Sequence, residues 1–241
     1  SAVDWLKLGN VKSTTLNISG DVWIMGNVYG GGEMGTVRPY EDKTDSENPI
    51  VQGGTTTISV KGGTIGTEIT DSAPVKTTIT DAGVVKYTFG SVYGGGMGME
   101  GHDANDNHGG EVKGNTTVSM SGTSSKVRAS VYGGGEMAIV DGNTNVTISG
   151  GEIGRGEVKP ADDADAGYVM FGGATMGNVY GGGKGVLNYT EAGQVKGNTN
   201  VTINAGTEGQ PFIYQNVYGG GALASVGTFT TSSGTGAEVH V

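Results

Sequence analysis

Five copies of one pentapeptide, Val-Tyr-Gly-Gly-Gly, begin at Val28, Val92, Val131, Val179 and Val217. Each follows a small polar residue, Asn27, Ser91, Ser130, Asn178 or Asn216. Self-similarity of this kind marks a chain built layer by layer, in which each layer buries its apolar atoms only against its neighbours. The chain holds 49 glycines in 241 residues, clustered in pairs and triplets. That clustering excludes the every-third-residue rule of collagen. β-Branched residues at fixed offsets from the glycines argue equally against flexible coil. The glycines mark tight corners and close backbone approach.

Between the triplets runs a second recurring string, an alternating strand closed in most copies by Gly. It spans Thr14–Gly20, Thr56–Gly62, Thr116–Gly122, Thr144–Gly150 and Thr199–Ala205. Period-two alternation turns one set inward. The inward ladders are Leu16, Ile58, Val118, Val146, Val201 and Ile18, Val60, Met120, Ile148, Ile203; short polar residues such as Thr15, Thr57, Thr117, Asn145 and Asn200 face outward. The shortest complete layer, Gly114 to Asp141, is 28 residues. It has room for the alternating strand, the Val-Tyr strand and a third near Met137–Val140.

Three short strands per turn with glycine corners predict an all-β fold, a right-handed single-stranded parallel β-helix of about five coils. Hairpin-built sandwiches and propellers need Asn-Gly or Asp-Gly reversals, which are nearly absent. The expected organisation is a lead-in or cap over 1–12 (Trp5, Leu6, Leu8), repeats over 13–226, and a strand, cap or further coil over 227–241 (Phe229, Val239). Layers longer than 28 residues swell at two points. One lies after the glycine triplet (36–53, 99–113, 186–196), the other after the alternating strand (67–86, 155–170). Loops leaving the same corner of successive layers crowd along one edge, the place for a binding region that varies from layer to layer.

The net charge is −10, with 24 acids against 14 bases. Nucleic acid and anionic lipid surfaces need a basic face and are not expected partners. No apolar run approaches the ~18 residues of a membrane helix, so no membrane insertion is expected of this fragment. The first residues also lack the basic and apolar regions of a signal peptide. The chain reads as a piece of a longer protein flanked by further domains. The absence of cysteine suits a secreted bacterial protein and the cytosol equally.

Tyr29, Tyr93, Tyr132, Tyr180 and Tyr218 stand beside inward valines, so strict alternation turns them outward as an aromatic column able to stack on sugar rings. The competing reading stacks the rings on one another at a bent corner, shielding backbone that glycine exposes. The preceding Asn or Ser column is expected to satisfy corner amides. Met25, Phe89, Arg128, Met176 and Tyr214, three residues before each valine, read as core.

Asp103–Asn107 begins like a calcium loop, but His108 replaces the required glycine and Gly114 the closing glutamate. Asp162, Asp163, Asp165, Glu41 and Asp42 read as solvated acids, with loose calcium binding left open. His102, His108 and His240 complete no zinc set. No cofactor or metal is expected. The arginines Arg38, Arg128 and Arg155 occupy unrelated positions of the repeat. The acids Glu33 and Glu136 share one coil position, held in other layers by Met97, Lys184 and Ala222. Paired carboxylates spanning adjacent layers are therefore not visible, and no catalytic residue is assigned.

The alternation of Asn/Ser-Val-Tyr-Gly-Gly-Gly with Gly-Asn-Thr-x-Val-x-Ile-Ser-Gly-Gly over roughly residues 13–224 resembles the repeats of large adhesin-like surface proteins of gut Bacteroidetes. More distantly, it resembles autotransporter passenger repeats, with Phe171–Ala174 as a partial echo. The resemblance implies a secreted or surface-anchored bacterial β-solenoid and carries over no ligand residue. The expected function is non-catalytic: a glycine-rich, rigid stalk or display module, extracellular or on the cell surface. It would contact host or microbial glycan or a surface protein through its edge loops, with the tyrosine column as second candidate. The alternative is a polysaccharide-active β-helix enzyme, a lyase or glycoside hydrolase.

Overall fold

The computed structural model describes residues 9–42, 50–66, 90–99, 109–154, 156–158, 168–170, 177–187, 189, 191–207 and 209–228. The expected cap residues Trp5, Leu6, Leu8, Phe229 and Val239 lie outside them. Among the described residues there is no helix. Fifteen strands form three five-stranded sheets, and every pairing within those sheets is parallel. Each turn of the chain contributes one strand to each sheet, so the parallel β-helix of five coils expected from the repeats is the fold.

The first sheet is made of the alternating strands Thr14–Ile18, Thr56–Val60, Thr116–Met120, Thr144–Ile148 and Thr199–Ile203. Their register places Leu16 against Ile58, Ile58 against Val118, Val118 against Val146 and Val146 against Val201, as the alternation demands. Ile58, Val118, Val146, Val60, Met120 and Ile148 are buried in one continuous apolar core. The third sheet is made of the Val-Tyr pairs Val28–Tyr29, Val92–Tyr93, Val131–Tyr132, Val179–Tyr180 and Val217–Tyr218. The first four of its valines enter that same core.

The second sheet corrects the strand expected near Met137–Val140. It consists of Trp23–Ile24, Thr64–Ile65, Lys126–Val127, Glu152–Ile153 and Phe212–Ile213, between the long strand and the Val-Tyr strand. Ile24, Ile65, Val127, Ile153 and Ile213 form its inward ladder. Val140 belongs instead to a column of single-residue parallel bridges, Val11, Val37, Val112, Val140, Val195 and Val226. This column builds a second, separate apolar stack.

The insertions leave the coil at more corners than expected. Segments 67–89 and 155–176 fall between the second and third sheets. Segments after Met99 and Val186 precede the valine column. The hairpin Pro39–Asp42 with Ile50–Gly53 follows that column and is antiparallel, as is Gly156–Val158 with Tyr168–Met170.

Candidate functional site

Each residue of the repeated hexapeptide has a separate mechanical task. The leading Asn or Ser accepts from the backbone N–H of its counterpart one coil on. Ser91 N–H reaches Asn27 Oδ1 at 3.0 Å, Ser130 reaches Ser91 Oγ at 3.4 Å, Asn178 reaches Ser130 Oγ at 3.1 Å and Asn216 reaches Asn178 Oδ1 at 3.0 Å. This is the amide-satisfying polar ladder expected from the sequence. The valine fills the core.

The glycine triplet answers to the layer above rather than to a left-handed backbone, since none of its members has a positive φ. A Cβ on Gly30, Gly94, Gly133 or Gly181 would stand 2.2–2.3 Å from the carbonyl oxygen of the equivalent glycine in the next coil. That same glycine carbonyl closes its own turn. Thr14, Thr56, Thr116, Thr144 and Thr199 donate Oγ1–H to the carbonyls of Gly30, Gly94, Gly133, Gly181 and Gly219 at 2.5–2.6 Å. Thr56, Thr116 and Thr144 are fully buried.

The tyrosines do form a continuous column, with ring centroids 4.8–5.1 Å apart and planes within 11° of parallel. They follow the ~4.8 Å strand spacing beneath them. The expectation of an outward aromatic surface fails for the middle of the column. Tyr93, Tyr132 and Tyr180 are buried, Tyr29 is half-buried, and only Tyr218 is exposed. Alternation is obeyed, since the rings form a cluster separate from the valine core, but the far side of the strand is not water. The chain beyond two of the triplets turns back against the rings: Ala222 packs on the column, and Glu136 accepts from the Tyr29 hydroxyl. Asn27 Nδ2 donates to that hydroxyl at 3.1 Å.

Glu136 also accepts from Lys184 Nζ at 2.7 Å and so ties the first coil to the fourth. Burial raises the pKa of Tyr29, Tyr93, Tyr132 and Tyr180, and the Glu136 carboxylate raises those of the first three further. The four phenols are therefore neutral at physiological pH, and their role as described is structural.

A second charged constellation follows the valine column. Lys113 pairs with Glu111 and, at 3.1 Å, with Asp141; Lys196 reaches the other side of Asp141 at 2.8 Å. Glu111 is fully buried. Burial opposes the charge on Asp141, yet Lys196 and Lys113 outweigh it and hold the carboxyl below its ordinary range. Burial likewise opposes the Lys113 charge, and Glu111 and Asp141 raise it overall.

His102, His108, His240, Asp103–Asn107, Asp162, Asp163, Asp165, Arg155 and Phe171–Ala174 lie outside the described residues. Among the described residues, no group of three or more His, Asp or Glu stands close enough to hold a metal ion. Nor, among those residues, is any helix long and apolar enough to cross a membrane.

Of the residues three before each valine, Phe89 and Met176 lie outside the described residues, within the insertions 67–89 and 155–176. The described rank is Met25, Gly66, Arg128, Gly154, Tyr214, fixed by N–H to carbonyl bonds from Gly66 to Ile24, Arg128 to Ile65, Gly154 to Val127 and Tyr214 to Ile153. It is an outer rank and not core: Met25 is exposed, and Arg128 and Tyr214 are half-buried. Large side chains alternate with glycine, so Arg128 lies over Gly66 and Gly90, and Tyr214 over Gly154 and Gly177. The sequence signal for this register was the recurring Gly-x-Ile-Gly at 63–66 and 151–154.

None of the known protein families, curated proteins or solved structures compared with this chain matches it.

Proposed function

We propose that this chain is a non-catalytic, adhesin-like β-solenoid module that acts as a rigid stalk or display element of a secreted or cell-surface bacterial protein. It presents variable edges to host or microbial glycan or to a surface protein. One observation carries the reading: four ladders run in register through all five coils, the two apolar stacks, the tyrosine column and the Asn/Ser column. Such stacking ties every layer to the next and yields stiffness along the axis, the property a spacer needs. The repeated hexapeptide is spent on that stiffness residue by residue. The insertions interrupt it only at corners, where loops tolerate variation without disturbing the ladders.

The test pairs mechanics with chemistry. Single-molecule stretching should show high-force unfolding in steps of whole coils. Incubation with plant, bacterial and host polysaccharides should release no reducing ends and no unsaturated sugars. Turnover of any of them would restore the alternative, a polysaccharide-active β-helix enzyme. Compliance at low force would remove the stalk.

A further inference from the structure

Resting on that reading, we infer that the outer face of the second sheet is a binding surface for an extended, uncharged, β-linked polysaccharide lying along the coil axis. The outward row of this sheet is Trp23, Thr64, Lys126, Glu152 and Phe212, in strict parallel register. Its two ends are aromatic and open: Trp23 is 57% and Phe212 59% exposed. Both project from the flank of the coil, since each alternates with a partly buried isoleucine, Ile24 or Ile213, that packs on the core, and each stands on an edge strand with a neighbouring strand on one side only.

The indole is held in place. Its Nε1–H donates to the Gly66 carbonyl of the next coil at 2.7 Å, so the ring is fixed at one edge while a large part of it stays in water. A pinned, solvated aromatic plane stacks on the apolar face of a sugar ring with little ordering cost. Met25 flanks Trp23 and Tyr214 flanks Phe212, widening each end.

Between the platforms the row offers donors and acceptors of both signs. Lys126 and Thr64 donate, Glu152 accepts, and Arg128 in the adjacent rank pairs with Glu152 at 3.6 Å. The row itself carries one cation and one anion, Lys126 and Glu152, and is neutral within a chain of net charge −10. It therefore suits a ligand rich in hydroxyls and without charge better than an acidic one.

The dimensions agree. The two platforms are four strand intervals apart, on the order of 19 Å at about 4.8 Å each. One interval is close to the advance of one hexose in an extended β-linked glycan. A run of about five sugars thus stacks on both aromatic ends and meets the polar middle.

The experiment is titration of the chain with mixed-linkage β-glucan and with a length series of cello-oligosaccharides, beside polygalacturonate. Affinity should climb with length until a chain reaches both platforms and then level off. Trp23→Ala and Phe212→Ala should each weaken β-glucan binding about tenfold, which is about 1.4 kcal/mol. Because Trp23→Ala also deletes a hydrogen bond, Phe212→Ala and thermal melting of both variants separate a lost platform from a lost fold. Unchanged binding by the double variant, no binding of the native chain to any uncharged glycan, or tighter binding of polygalacturonate than of β-glucan would each overturn the inference. Shortened glycan in the same mixtures would overturn the non-catalytic reading instead, and would leave this face as the place where the substrate lies.

Discussion

The third coil, from Val112 to Ile139, and the last, from Val195 to Ser225, contain the same motifs but occupy different physical environments. In the third coil Val118, Met120, Val127, Val131 and Tyr132 are buried, with neighbours above and below. In the last, Ile203 is 39%, Val217 46% and Tyr218 43% exposed. A Cβ on Gly133 would strike the Gly181 carbonyl at 2.2 Å, whereas one on Gly219 or Gly220 would meet nothing within 4 Å. The same letters are therefore obligatory in one layer and permitted in another. What makes them obligatory is the next layer, not the local backbone.

The largest test of that difference is glycine to alanine. Gly133→Ala has to displace backbone in the fourth coil and should cost about 4 kcal/mol or prevent folding, at the extreme of single substitutions. Gly219→Ala should stay within about 0.5 kcal/mol. Urea unfolding of both variants measures the gap, and equal losses would mean that the triplet serves its own turn only.

Second in size is truncation along one inward ladder. Ile148→Ala empties a fully buried site in the first sheet, and Ile203→Ala trims its half-open counterpart one coil on. Losses of about 3 and about 1 kcal/mol are expected, since cavity cost requires surroundings on every side. A similar loss at the two positions would show that the last coil is covered in solution.

The threonine brace sharpens the comparison further. Thr144→Val keeps shape but leaves the buried Gly181 carbonyl without its side-chain donor, a loss of about 1–2 kcal/mol. Thr199→Val removes the same bond where water has access, and should lose less than half as much. The expected order of midpoints is native, Thr199→Val, Thr144→Val.

These contrasts show why so much of the fold was legible and why the surface was not. Alternation in Thr116–Met120 and its four relatives set face and register directly, because a one-residue slip would expose every apolar side chain. The second sheet was harder: two-residue strands carry no period, and only the repeated isoleucine or valine after the glycine corner marks them. Tyr93 and Tyr132 show the limit of alternation, which places a side chain on one side of a strand without saying what covers that side. The threonines Thr56, Thr116 and Thr144 look like ordinary strand formers, and their bond to a glycine some tens of residues away becomes visible only once the turn closes. Trp23 and Phe212 sit 189 residues apart; their common row follows from register alone.

The smallest expected effect is a pH dependence that also separates the layers. Lys113, Asp141 and Lys196 clip the third, fourth and fifth coils together, and the clip stops where Gly227 follows Val226. The Asp141 carboxyl is held below its unfolded value because Lys196 and Lys113 outweigh the opposing effect of burial. A depressed folded value means that the unfolded chain binds the proton more readily. The stabilisation is thus complete above the ordinary carboxylate range, about pH 4, and drains away as pH falls through the lower folded value. Lys113 acts at the other end: its raised value gives a contribution that is complete below about pH 10 and lost above it. Melting temperature followed downward from neutral pH should fall less steeply for Asp141→Asn than for the native chain, with the two curves converging at the acid end. The partly exposed lysines make the clip sensitive to screening, so added salt should shrink the difference. Curves that stay parallel down to the lowest pH would show that Asp141 contributes packing and not charge, and that the outer coils are joined by their ladders alone.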